Sequence, residues 1–100
     1  MTILFGVTSA SLEESSRWVE QATGLTSEAR ESISLGGDYY SFKGLNGEQL
    51  SLLVNKDVYD GEPVVTGADS WPVVLMLDSV QEKSQVVQSL LADAQHFRRL

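Results

Sequence analysis

The side chains best equipped for chemistry gather between residues 55 and 71. Asp57, Asp60, Glu62 and Asp69 stand there against one cation, Lys56. Closely spaced carboxylates can hold a hard cation, exchange protons with a bound substrate, or attract basic groups on a partner. The run Asp57-Val58-Tyr59-Asp60-Gly61-Glu62 lacks the alternating acid order and the distal glutamate of a calcium loop. Paired carboxylates acting on a glycosidic bond need a substrate cleft, for which so short a chain has little room. Two uses of the segment remain open: a solvated loop, or a docking surface in which Tyr59 and Trp71 serve as anchors. Tyr and Trp bury a large area at small entropic cost, which makes them the usual hot spots of binding surfaces.

The other reactive side chains are sparse. His96 is the single histidine, expected as a surface residue on the last helix, where the negative end of the dipole favours it. There is no cysteine, which removes disulfides, thiolate metal sites and a cysteine nucleophile. Gly36-Gly37-Asp38 fits neither glycine-rich phosphate-binding pattern, and no helix is expected after it. It reads as a tight turn or a bulge, where φ is positive. Its neighbours Tyr39 and Tyr40 make it a recognition edge. Neither a catalytic constellation nor a metal or cofactor site is expected.

The elements that must position these groups follow from patterning. Thr2 to Thr8 is an apolar, partly β-branched run and predicts a strand. Ser11-Leu12-Glu13-Glu14 has the form of a capping box, and Gly24 suits the left-handed position past a helix end, so a helix is predicted over 12–22. Between Arg30 and Lys43, Ile33 and Leu35 alternate with Ser32 and Ser34, and Tyr39-Tyr40-Ser41-Phe42 resumes in strong strand formers. Gly44-Leu45-Asn46-Gly47 is hairpin chemistry, with Glu48 to Asn55 as the returning strand. The irregular stretch from Asn55 to Trp71 is long enough to suggest a functional loop. The dense apolar run Pro72 to Leu77 predicts a central strand buried on both faces. Ser79-Val80-Gln81-Glu82 reads as a second capping box. It opens a helix with Val80, Val87, Leu90, Leu91, Ala94 and Phe97 on one stripe, closed by Arg98 and Arg99.

The expected fold is therefore a single α+β domain over residues 1–100, in the order β-α-β-β-β-α. It would be a mostly antiparallel sheet of four to five strands with two helices packed on one face, leaving the other face partly exposed. One hundred residues allow one modest core. The segment Met1 to Val7 is short and lacks a basic flank, so it reads as a strand and not a signal peptide. With the missing cysteines, this points to a cytoplasmic location. No run reaches the length of a membrane span.

Fourteen acids against seven bases give a net charge of -7. Such a surface repels nucleic acid and anionic membranes and attracts basic partners. Arg17, Arg30, Lys43, Lys56 and Lys83 are scattered, so no basic patch forms for nucleic acid.

About half of the chain resembles small bacterial immunity proteins of contact-dependent inhibition and related polymorphic toxin systems. The resemblance is carried by Arg30-Glu31-Ser32, Gly36-Gly37-Asp38-Tyr39-Tyr40, Asn55, Asp60-Gly61-Glu62-Pro63, and Trp71-Pro72 leading into Val73-Val74-Leu75-Met76-Leu77. It implies a cytoplasmic, non-enzymatic antitoxin that blocks a cognate toxin domain, often a basic nuclease. The expected partner-binding set is Tyr39, Tyr40, Asp57, Tyr59, Asp60, Glu62, Asp69 and Trp71, on a monomer or weak dimer. In layout, the opening strand, helix and following strands resemble half of a glyoxalase-like module. That likeness implies a small-ligand site completed by a dimer, although no histidine falls in any expected strand to serve as a metal ligand.

Overall fold

The computed structural model describes residues 2–100. Strand β1 (Ile3–Val7) leads into helix α1 (Leu12–Thr23), and β2 (Glu28–Ser32), β3 (Gly37–Lys43), β4 (Gln49–Val54) and β5 (Val73–Asp78) follow. Helix α2 (Gln85–Ala92) and a short strand β6 (Phe97–Arg99) end the chain. All six strands join one antiparallel sheet in the order β2-β3-β4-β5-β1-β6. The architecture is α+β, with two helices on one face of that sheet.

Local sequence explains α1 at both ends. Ser11 caps it, its Oγ accepting from the Glu14 N–H at 3.2 Å, and Gly24 ends it at φ 74°. The return arm of the capping box differs from expectation. The Glu14 carboxylate accepts from the Ser9 hydroxyl at 2.7 Å, and Ser9 Oγ in turn accepts from the Ser11 N–H at 3.0 Å. One added hydroxyl thus relays the carboxylate to the free backbone donor.

The core lies between this helix layer and alternate residues of the central strands. Ile3, Phe5 and Val7 of β1 face Leu77, Leu75 and Val73 of β5 across the ladder, and Leu50 and Leu52 of β4 continue the rows. Val19, Val86, Val87 and Leu90 close over them from the helices, and Phe97 adds to the same cluster from β6. Each of these large side chains contributes about 1.5–3 kcal/mol by leaving water. The expected central strand is present: β5 lies between β4 and β1, and Val73, Val74, Leu75 and Leu77 are all fully buried.

The structure departs from the sequence reading at three places. Ile33–Leu35 is not strand but a short 3-10 turn, which leaves Ile33 77% exposed, because the chain must reverse there from β2 into β3. Helix α2 does not begin at Ser79. Its cap is Ser84, whose Oγ accepts from the Val87 N–H at 3.3 Å, while Ser79 stands at φ 56° in a tight reversal out of β5. The helix also stops at Ala92, and Phe97-Arg98-Arg99 pairs with β1 as an edge strand. The apolar spacing of Val80 and Phe97 matched a helix, yet each reaches the same core from irregular chain or strand. Arg99 does not close a helix; its guanidinium pairs with Glu82 and ties β6 to the segment before α2.

Glu20 fixes how the chain leaves α1. Its carboxylate accepts from both the backbone N–H and the hydroxyl of Ser27, each at 2.9 Å. Those bonds favour the charged form, first the backbone bond and then the hydroxyl, and hold the Glu20 carboxyl below its ordinary value of 4.5. A depressed folded value stabilises the fold above the unfolded pKa, and that contribution is lost as pH falls through the folded one. Ser27→Ala should therefore raise the Glu20 pKa toward 4.5, read by carboxyl NMR titration, and reduce the part of the stability that is lost as pH falls between the unfolded and folded values.

Candidate functional site

The sheet's second face bears no helix, yet its middle is dry. The ladder sets Arg30, Tyr39, Leu53, Val74, Gly6 and Arg98 in one row across the sheet on this face. Leu53 and Val74, at the centre of the row, are fully buried. The 55–72 loop covers them, so the expected long loop forms the third layer of the fold at this end of the sheet. Toward the opposite end the face opens, with Ser41, Ser51, Met76 and Leu4 half-buried.

One buried side chain organises the loop. The Asn55 carboxamide donates to the Ala68 carbonyl and accepts from the Val65 N–H, both at 2.8 Å, while the Asn55 N–H bonds the Pro72 carbonyl. Asn55 is a buried polar residue, and Ala68 beside it is 1% exposed. The sequence reading gave Asn55 no structural role beyond the junction of strand and loop, because a side chain that serves two distant backbone groups leaves no local pattern.

Two glycine sites let the loop approach the sheet. A Cβ on Gly6 would stand 2.2 Å from the Trp71 ring, so the indole lies flat on β1 at the one residue there without a side chain. At the other end, the Val58 N–H donates to the Gly36 carbonyl at 3.1 Å. A Cβ on Gly36 would fall 2.7 Å from Val64, and one on Gly37 would fall 3.3 Å from Val58. The Gly36-Gly37-Asp38 motif is thus a turn, with φ at 82° and 128°, and it is also the seat of the loop.

Within the loop the acids divide by task. The Asp57 N–H bonds the Glu62 carbonyl, and the Gly61 N–H bonds the Asp57 carbonyl, closing a small lobe. The Asp57 carboxylate accepts from the Tyr59 N–H at 2.7 Å, and the Asp60 carboxylate accepts from the Glu62 N–H at 2.9 Å. Asp57 is half-buried, whereas Asp60, Glu62 and Asp69 are exposed and Tyr59 is 69% exposed. None of the ion pairs among the described residues involves a carboxylate of this loop.

The expected binding set is therefore split. Tyr59, Asp60 and Glu62 share the exposed lobe. Trp71 and Tyr39 lie on the loop-bearing face, Trp71 half-buried as a lid over Gly6. Tyr40, adjacent to Tyr39 in a strand, points to the helix side and packs against the core. Tyr39 and Tyr40 meet only in an open cleft of about 480 Å³ between the β2–β3 ribbon and Leu12 at the start of α1. Glu31 and Asp38 sit directly opposite each other in that cleft.

A further aromatic cluster lies where α2 passes into β6. His96 is not on the last helix. Its ring stacks on Trp18 of α1 with centroids 3.8 Å apart, and its Nδ1 lies 2.9 Å from the Asp93 carboxylate. The Thr8 N–H bonds the His96 carbonyl at 3.0 Å. The group joins three segments in space and so has no sequence signature. Among the described residues, no set of three or more His, Cys, Asp or Glu is arranged to hold a metal ion. No helix of those residues is long and apolar enough to cross a membrane.

No protein-family model matches the chain, and no curated protein matches it.

Two variants separate the halves of the Asn55 clamp. Asn55→Ala should destabilise the fold by about 1–3 kcal/mol for each backbone group left unpaired, measured by denaturant unfolding. Asn55→Asp keeps the acceptor for Val65 but loses the donor to Ala68. In hydrogen exchange, the Val65 amide should lose protection in the alanine variant and keep it in the aspartate variant. Gly6→Ala should cost about 1–3 kcal/mol by overpacking and shift the Trp71 fluorescence as the indole is lifted from β1.

Proposed function

We propose that this protein is a stoichiometric binding inhibitor of the immunity type, which neutralises a toxin domain by covering a basic cleft on it. The observation that carries the reading is the 57–62 lobe. It is held by its own backbone bonds and by the Val58 N–H bond to the Gly36 carbonyl, yet it presents carboxylates without cationic partners beside an exposed Tyr59. A surface ordered before contact loses less freedom on binding. Its unpaired negative charge, on a chain with net charge -7, draws a basic partner in and speeds encounter. Tyr59 supplies an amphipathic anchor that slows release. Tyr39 and Trp71 extend the surface across the loop-bearing face, while Tyr40 belongs to the neighbouring cleft. The partner would be a basic, nuclease-like toxin domain in the cytoplasm, with no nucleic acid or membrane bound by this chain itself.

A second reading rests on the cleft beside Leu12, Tyr39 and Tyr40. At about 480 Å³ it falls in the size range of small-ligand sites. A regulatory or glyoxalase-like ligand module would use it and would show a ligand-dependent rise in melting temperature.

The primary test is capture of the partner from the source organism at low and moderate salt, followed by titration of the captured toxin's activity. Inhibition that is complete at one equivalent supports the proposal, and a toxin activity that persists in excess protein rejects it. Neutralising the lobe by Asp57→Asn, Asp60→Asn, Glu62→Gln and Asp69→Asn together keeps every side-chain acceptor of the turns. The fold should remain, while association with the partner slows about tenfold or more and its salt dependence weakens. An unchanged on-rate in stopped flow would remove the loop as the steering surface.

A further inference from the structure

Strand β2 ends the sheet, so the outer backbone groups of Glu28-Ala29-Arg30-Glu31-Ser32 face no other strand. We propose that this edge pairs antiparallel with β2 of a second copy of the chain, with Ala29 opposite the second copy's Ala29, so that two six-stranded sheets become one. The inference does not depend on the inhibitor reading.

The argument is charge self-complementarity. A two-fold axis perpendicular to the sheet keeps both helix layers on the same side and sets like-facing residues opposite each other. Centred on Ala29, it places Glu28 against the second copy's Arg30, and Arg30 against the second copy's Glu28. Opposite charges directly across a ladder stabilise it, and like charges there destabilise it. Centring the axis on Glu28, Arg30 or Glu31 would set that charge against its own copy. The Ala29 register alone among these four turns both charges into pairs, and it leaves Glu31 beside the second copy's Ser27.

The side chains are already disposed for this. Arg30 and Glu28 lie on one face of the strand and pair with each other at 2.8 Å, with 46% and 66% of their side chains exposed. Each copy can give up that weak intrachain bridge for one of the two across the seam, an even exchange in number, so the charges set the register while the added backbone ladder holds the pair. Ala29 is the small residue the seam needs on the helix face, and it lines the cleft with Leu12 and Tyr40. The two clefts would meet end to end across it. A pair of five-residue strands buries less than the roughly 1,200 Å² of a standard interface, so the dimer forms only at high protein concentration. Charged residues on an edge strand also serve to prevent pairing, and the measurement distinguishes the two roles.

Sedimentation equilibrium of the intact chain, carried to about 1 mM as so small a contact requires, should show the mass rising from 11.0 kDa toward twice that value. Glu28→Arg faces the second copy's Arg30 with a like charge and should return the mass to that of one chain. Glu28→Arg with Arg30→Glu restores both opposite-charge pairs and should restore the dimer. Both sites are exposed, so the thermal unfolding of each variant should match the wild type and confirm that the fold is intact. A wild type that stays at 11.0 kDa throughout overturns the proposal. A dimer indifferent to Glu28→Arg, or one that the double exchange fails to restore, overturns it equally.

Discussion

Strand β5 is apolar on both faces, and the rest of the structure answers that constraint. Val73, Leu75 and Leu77 need cover on one side and Val74 on the other. The helices supply the first layer through Val19, Val86, Val87 and Leu90. The described residues hold no third α-helix to supply the second, so irregular chain must do it. A loop used as a layer carries polar backbone into a dry place, where an unpaired group costs more than a single hydrogen bond returns. The buried Asn55 carboxamide, bonded to Val65 and Ala68, meets that cost.

The glycines of the chain make sense in the same terms. Gly6 leaves room for the Trp71 ring, and Gly36 and Gly37 leave room for Val64 and Val58. At the second site the positive φ of both residues also turns β2 into β3. One motif therefore reverses the chain and seats the loop. The same packing that completes the fold fixes the acidic lobe in position, so order and binding capacity have a common origin. The side chains that remain outward, Asp60, Glu62 and Tyr59, are those the packing does not use.

The edges of the sheet behave differently. β6 is short and held by Arg99 to Glu82. The hydrogen bonds from Arg99 keep the Glu82 carboxyl below its ordinary value and the Arg99 guanidinium above its own. β2 carries its ionic groups along a free edge and spends them on a local bridge.

The sequence by itself determined the elements whose signals are local. Ser11 and Gly24 bracket α1, Asn46-Gly47 turns β3 into β4, and the run from Val73 to Leu77 is a central strand. It also determined the acidic balance and the irregular nature of residues 55–71. Periodicity failed at the chain's end, because Val80 and Phe97 satisfy a helical spacing while reaching the core from a loop and a strand. Local pattern records only that a residue is buried, not which element buries it. Only the tertiary structure decided that the loop lies on the Tyr39 face and the helices on the Tyr40 face, that Trp71 rests on Gly6, and that His96 stacks on Trp18. These relations join residues far apart in the chain, and ladder register and packing create them after the local elements have formed.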